Sequence, residues 1–74
     1  MNSDYAERQG ARLAELRKAQ GLTQEQLAAK LQVTGCDLTR SAIAKVEVGQ
    51  RGLYADEIKA LKEVFRVEYD ALFP

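Results

Sequence analysis

Residues 22–49 read LTQEQLAAKLQVTGCDLTRSAIAKVEVG. Thr23 can cap a helix and Gln26, three residues on, can reach back to it, with Leu22 placed as the hydrophobic staple; this spacing predicts a helix that starts at Gln24. Leu27, Ala28 and Leu31 form its inner stripe. It should end near Val33 or Thr34, with Gly35 taking the left-handed conformation that closes a helix. Residues 34–38 hold turn formers and no period, so they read as a loop before Thr39, the cap of the next helix. That helix runs from Arg40 to about Val48, with Ile43, Val46 and Glu47 on one face and Gly49 as terminator. The two helices are short, and small Ala28 permits a close, steep crossing, the geometry of a helix-turn-helix unit; on its own Ala28 reads equally well as a plain helix former.

Upstream, residues 5–20 favour helix strongly, and Ala6, Gly10, Leu13, Leu16 and Arg17 fall on one side at three-to-four spacing. Ser3 or Asp4 is the expected cap and Gly21 the stop. Downstream, a loop from Gln50 to Tyr54 precedes a helix defined by Ile58, Leu61, Val64 and Phe65. Val67 to Phe73 then supports a short terminal helix with Leu72 and Phe73 turned inward. The expectation is an all-α, compact five-helix bundle, a single domain over residues 1–74, with the helix-turn-helix unit at about 24–48.

The composition narrows the function classes. A chain of 74 residues sits near the lower limit for one independent core, which leaves no room for a second domain. With 46% apolar and 30% charged residues and a single proline, it reads as a folded helical domain rather than a disordered tail. No apolar run is long enough for a membrane span or a signal-peptide core, so a cytoplasmic protein is expected. Cys36 stands alone and histidine is absent, which removes an internal disulfide and the familiar zinc-ligand and triad chemistries. A lone loop cysteine is ordinarily a spectator. No glycine-rich phosphate loop is present either, so neither an enzyme nor a cofactor or metal site is expected.

Net charge is zero and the isoelectric point about 6.2, whereas a non-specific nucleic-acid binder is usually strongly basic. The charge is nevertheless polarised: residues 1–51 carry eight Lys/Arg against six Asp/Glu, and residues 52–74 carry three against five, giving +2 and −2.

Two constellations point beyond a generic bundle. Arg17 lies four residues after Leu13 and Glu47 four after Ile43, so opposite charges project from the buried sides of two helices. Buried charges must be paired, which makes these two the natural partners, and such a pair fixes docking more than it adds stability; taken alone, the two would read as ordinary surface charges at stripe edges. The second constellation is the outer face of the Arg40–Val48 helix. Arg40 and Ser41 occupy its first turn and Lys45 the next, so they can reach base edges, with Arg suited to the O6/N7 acceptors of guanine. Gln24 at the start of the preceding helix can meet a phosphate, and Lys30, Thr39, Gln50 and Arg51 can contact the backbone nearby. Each polar residue alone would read as solvated surface; together they form a footprint for double-stranded DNA.

Residues 16–28, from Leu16-Arg17-Lys18 to Gln26-Leu27-Ala28, and residues 40–51, from Arg40-Ser41-Ala42 to Gly49-Gln50-Arg51, resemble the XRE-type helix-turn-helix regulators, which include phage repressors and Cro proteins. Residues 61–73 are similar to the closing two helices of that family. The resemblance runs from about Leu13 to the C-terminus. It implies a lambda-repressor-like DNA-binding domain, a buried Arg17–Glu47 pair, a phosphate contact at Gln24, and base-reading positions at Arg40, Ser41 and Lys45. Two features depart from the pattern. Gln32 stands where a glycine is usual, and the turn before Thr39 is about five residues longer, as in a branch of the family with an extended turn.

The expected function is that of a transcription regulator, a repressor in the first instance, working as a homodimer on two half-sites through its C-terminal part. Tyr54, Tyr69, Phe73 and Pro74 there are either exposed apolar area or core-edge residues. The alternative is a protein-interaction module such as an antitoxin or adaptor, in which the acidic C-terminal half binds a protein partner.

Overall fold

Four helices and one 3-10 turn are built from the signals in the sequence, and the computed structural model describes residues 3–74. Helix α1 spans Ser3–Ala19, α2 Gln24–Val33, α3 Arg40–Glu47 and α4 Ala55–Phe65, and the 3-10 turn covers Tyr69–Leu72. Thr23 and Gln26 form the expected capping box: Thr23 Oγ1 accepts from the Gln26 N–H at 3.0 Å and Gln26 Oε1 accepts from the Thr23 N–H at 2.9 Å. Thr39 caps α3 through the Ala42 N–H at 3.1 Å.

The same closing device ends the first three helices. Beyond α2, the Cys36 N–H donates to the Leu31 carbonyl and the Gly35 N–H to that of Gln32, a Schellman motif. Gly35 makes it possible at φ 90°, a conformation that costs a residue with Cβ. Helix α4 keeps the left-handed residue and the long bond, from the Val67 N–H to the Lys62 carbonyl, but places Arg66 at φ 57° where a glycine would be at ease.

The core gathers Leu13 from α1, Leu27 and Leu31 from α2, Ile43 and Val46 from α3, Leu61 and Phe65 from α4, and Leu72 from the 3-10 turn. Leu38 joins them at 2% exposure, although the loop around it shows no periodicity. The lengthened turn is therefore anchored in the core. Helix α3 packs mainly on α1 and α2, while α4 packs on α2 and the 3-10 turn. The crossing of α1 and α3 is set by Gly10: a Cβ there would collide with the Val46 carbonyl oxygen and stand 2.9 Å from the Glu47 carbonyl. Backbone meets backbone at this point, whereas Ala28 is only half-buried.

Three expectations need correction. Ser3 and Asp4 lie within α1, so its cap position falls outside the described residues; Asp4 places a negative charge in the first turn, where the helix dipole favours it. The terminal helix expected over 67–73 shortens to the four residues of a 3-10 turn, giving four α-helices rather than five. Phe73 is not inward but 40% exposed, because its backbone is extended (φ −116°, ψ 141°) and sends its side chain away from the side Leu72 fills. The turn is held to α1 by side chains instead: Gln9 Nε2 donates to the Leu72 carbonyl at 3.2 Å and Arg12 Nε to that of Ala71 at 2.8 Å.

Candidate nucleic-acid interface

Buried charge organises the interface from behind. The Arg17 guanidinium donates through Nε to Glu47 Oε2 at 2.7 Å and through Nη2 to Oε1 at 3.0 Å, and its Nη1 donates to the Leu22 carbonyl at 2.7 Å. The side chains are 10% and 7% exposed, so the expected ion pair is present and shielded from solvent. The hydrogen bond to Glu47 holds the Arg17 pKa above its ordinary value, against the opposing effect of burial. No buried side-chain polar atom among the described residues lacks a partner. The pair joins the end of α1, the α1–α2 turn and the end of α3, and so fixes how α3 is presented.

On the outer side of α3 the arrangement is reversed. Arg40, Ser41 and Lys45 are all exposed, and their side chains make no hydrogen bond or ion pair among the described residues. Ile43 and Val46 on the opposite side are at 0% and 1% exposure, which pins the helix and leaves its polar face outward. Arg40 borders a groove with Glu25, Ala28 and Gln32 of α2 and with Asp37 and Thr39 of the long turn. The start of α3 and the outer face of α2 thus form one continuous surface.

The remaining sequence-predicted residues divide. Thr39 and Gln50 are exposed next to α3. Gln24 is half-buried, and its Nε2 donates to Glu47 Oε1 at 3.0 Å, a link to the ion pair that the sequence reading did not contain. Lys30 stands on the other side of α2, bordering a groove with Val33, Glu63, Val64 and Arg66, apart from the α3 face. Arg51, only half-buried, is committed to partners within the protein: Nη1 donates to Glu57 Oε1 at 2.9 Å and to the Gly52 carbonyl at 2.8 Å, and Nη2 donates to Glu57 Oε2 at 2.8 Å. Its guanidinium also lies 5.0 Å from the centre of the Tyr54 ring.

Glu57 is the residue the sequence reading missed. Its Oε1 also accepts the Tyr54 N–H at 2.8 Å, so it does the work of a cap for α4 from inside the helix. Burial pushes its pKa up, but the hydrogen bonds from Arg51 and the Tyr54 N–H prevail and hold it below the ordinary carboxylate value. The signal was available as a glutamate three residues after the cap position. It was obscured because Tyr54, unlike Ser or Thr, offers no conventional cap.

Comparison with known proteins agrees with this geometry. A helix-turn-helix family model, HTH_3, matches residues 13–72. No curated protein matches the chain. Among solved structures, the restriction-modification controller protein C.AhdI from Aeromonas hydrophila is 37% identical over 96% of each chain, with a TM-score of 0.83. The DNA-binding domain of BldD superposes over 100% of each chain with the same TM-score of 0.83 at 24% identity, a likeness of fold. With the family match spanning most of its length and an open polar face on its third helix, the chain belongs to the XRE-type helix-turn-helix family and is a DNA-binding transcriptional regulator.

Proposed function

We propose that the chain works as one DNA-binding unit that reads a specific duplex sequence with α3 in the major groove and acts as a homodimer on two half-sites. Arg40, Ser41 and Lys45 are the base-reading side chains; Gln24, Thr39 and Gln50 hold the phosphate backbone on either side. The observation that carries this reading is the contrast between arginines. Arg17 and Arg51 are consumed by internal carboxylates, whereas Arg40 and Lys45 on α3 have no acid partner among the described residues. Cations left unpaired beside a helix-turn-helix are poised for DNA.

Dimerisation follows from scale, since one short helix makes too few contacts for tight specific binding. The C-terminal part offers the surface: Tyr54, Tyr69 and Phe73 are 68%, 46% and 40% exposed. Bound over a promoter, such a dimer represses by occupying it. The likeness to C.AhdI favours control of a restriction-modification system as the setting.

The test is selection of bound duplexes from a randomised pool at moderate salt, with the wild type and an Arg40→Ala/Lys45→Ala variant. The wild type should enrich a two-fold symmetric motif that the variant loses while melting at the same temperature. Loss of the Arg40 contact alone should weaken specific binding by about 1–3 kcal/mol. A folded wild type that enriches no motif would instead favour the protein-partner reading, for which the near-neutral net charge is the support.

A further inference from the structure

We propose that Glu47 is a positioning residue for Gln24: the buried ion pair aims the Gln24 carboxamide at a DNA phosphate, in addition to bracing the helices. This rests on the Gln24–phosphate contact advanced above.

Glu47 Oε1 is shared. It accepts Arg17 Nη2 and Gln24 Nε2, each at 3.0 Å, while Oε2 is taken by Arg17 Nε at 2.7 Å. Hydrogen bonds to an ionised acceptor are strong, so the glutamine side chain is held in one orientation before any ligand arrives. A primary amide carries two N–H donors. One is spent on Glu47, which leaves the other for a ligand at the first residue of α2.

Backbone donors converge on the same place. The capping box uses the Thr23 and Gln26 N–H groups, and the Leu27 N–H donates to the Thr23 carbonyl at 3.0 Å. The Gln24 and Glu25 N–H groups are left with no acceptor among the described residues, at the positive end of the helix dipole. The second amide hydrogen of Gln24 therefore shares the first turn of α2 with two free N–H groups, and DNA does not have to order a long side chain on arrival.

The pairing of the carboxylate matters as much as its position. An unpaired Glu47 behind Gln24 would repel a phosphate. Arg17 cancels that charge, and a side-chain exposure of 7% keeps the carboxylate out of the phosphate's reach. The hydrogen-bond acceptor is kept while its negative field is removed.

The experiment is a double-mutant cycle on the full chain, read as affinity for its selected duplex, with Gln24→Ala on one side and Arg17→Met/Glu47→Leu on the other. Exchange of a buried ion pair for apolar residues often preserves a fold, and circular dichroism and a thermal melt check that here. Gln24→Ala in the wild type should weaken binding about tenfold, the scale of one hydrogen bond to a charged group. The pair-free variant should lose about as much, and adding Gln24→Ala to it should change little. Full additivity, or wild-type affinity in the pair-free variant, overturns the proposal.

A measurement on the unaltered protein guards against misfolding of that variant. In the NMR relaxation of the free chain, the Gln24 carboxamide should be rigid while that of exposed Gln32 is mobile. Equal mobility of the two overturns the proposal even if the pair-free variant fails to fold. A wild type that binds no duplex would remove the functional reading, and the rigidity of Gln24 would still be decided separately.

Discussion

Gly10 shows what a single missing methyl group does here. The backbone carbonyls of Val46 and Glu47 occupy the space a Cβ would need, and backbone cannot step aside as a flexible side chain can. Gly10→Ala should therefore destabilise the protein by about 3 kcal/mol despite raising local helix propensity, as measured by urea unfolding. An unchanged midpoint would mean that α1 and α3 slide apart at little cost. At this scale the sequence was informative wherever the cause is local. Thr23, Gln26 and Thr39 act on their own helix ends, and Arg17 and Glu47 betray themselves as charges inside apolar stripes. It was silent where the cause lies in another segment. Gly10 could be placed on the inner face, but its reason for being glycine is the backbone of α3, 36 residues away. The bond from Gln24 to Glu47 and the capture of Arg51 by Glu57 were hidden in the same way.

Among the elements, α4 has the least conventional beginning, and its stability should carry a pH signature. The folded pKa of Glu57 lies below its unfolded value of about 4.3, so its contribution is fully present above that value and is lost as pH falls through the folded pKa. Glu57→Gln should lower stability by about 1.5–3 kcal/mol at pH 7 and flatten the acid side of the stability profile. Urea titrations from pH 7 to pH 3 measure both, and parallel acid limbs for variant and wild type would contradict this account. The four helices were legible from their apolar period, reinforced in α2 and α3 by the Thr23 and Thr39 caps. The last element was not: residues 67–73 are apolar enough to suggest a helix, yet Leu72 alone among them is fully buried, with Val67 packed at the core's edge, and a single turn delivers it. Leu38 escaped for a related reason, since one buried leucine in a turn creates no period.

For the whole molecule, the fate of each cation decides how DNA binding responds to salt. Each phosphate neutralised contributes a slope of about −0.9 in log affinity against log salt. Because Arg51 is spent on Glu57, Arg51→Ala should lower the melting temperature while leaving that slope in place, whereas Lys45→Ala should weaken binding without lowering the melt. A shallower slope for Arg51→Ala would show that the arginine leaves Glu57 for a phosphate in the complex. The zero net charge carries no hint of this division, because a charge count does not distinguish an arginine facing solvent from one facing a carboxylate.

The clasp of Gln9 and Arg12 on the carbonyls of Leu72 and Ala71 also orders events during synthesis. Residue 9 is made early but has no partner until residue 72 has cleared the ribosome's exit tunnel, and the core lacks Leu72 until the same moment. The reading helix is translated some 25 residues earlier, yet the scaffold that aims it is incomplete while that stretch is still inside the tunnel. A nascent chain can thus neither close its core nor clasp α1 to its last turn before that stretch emerges.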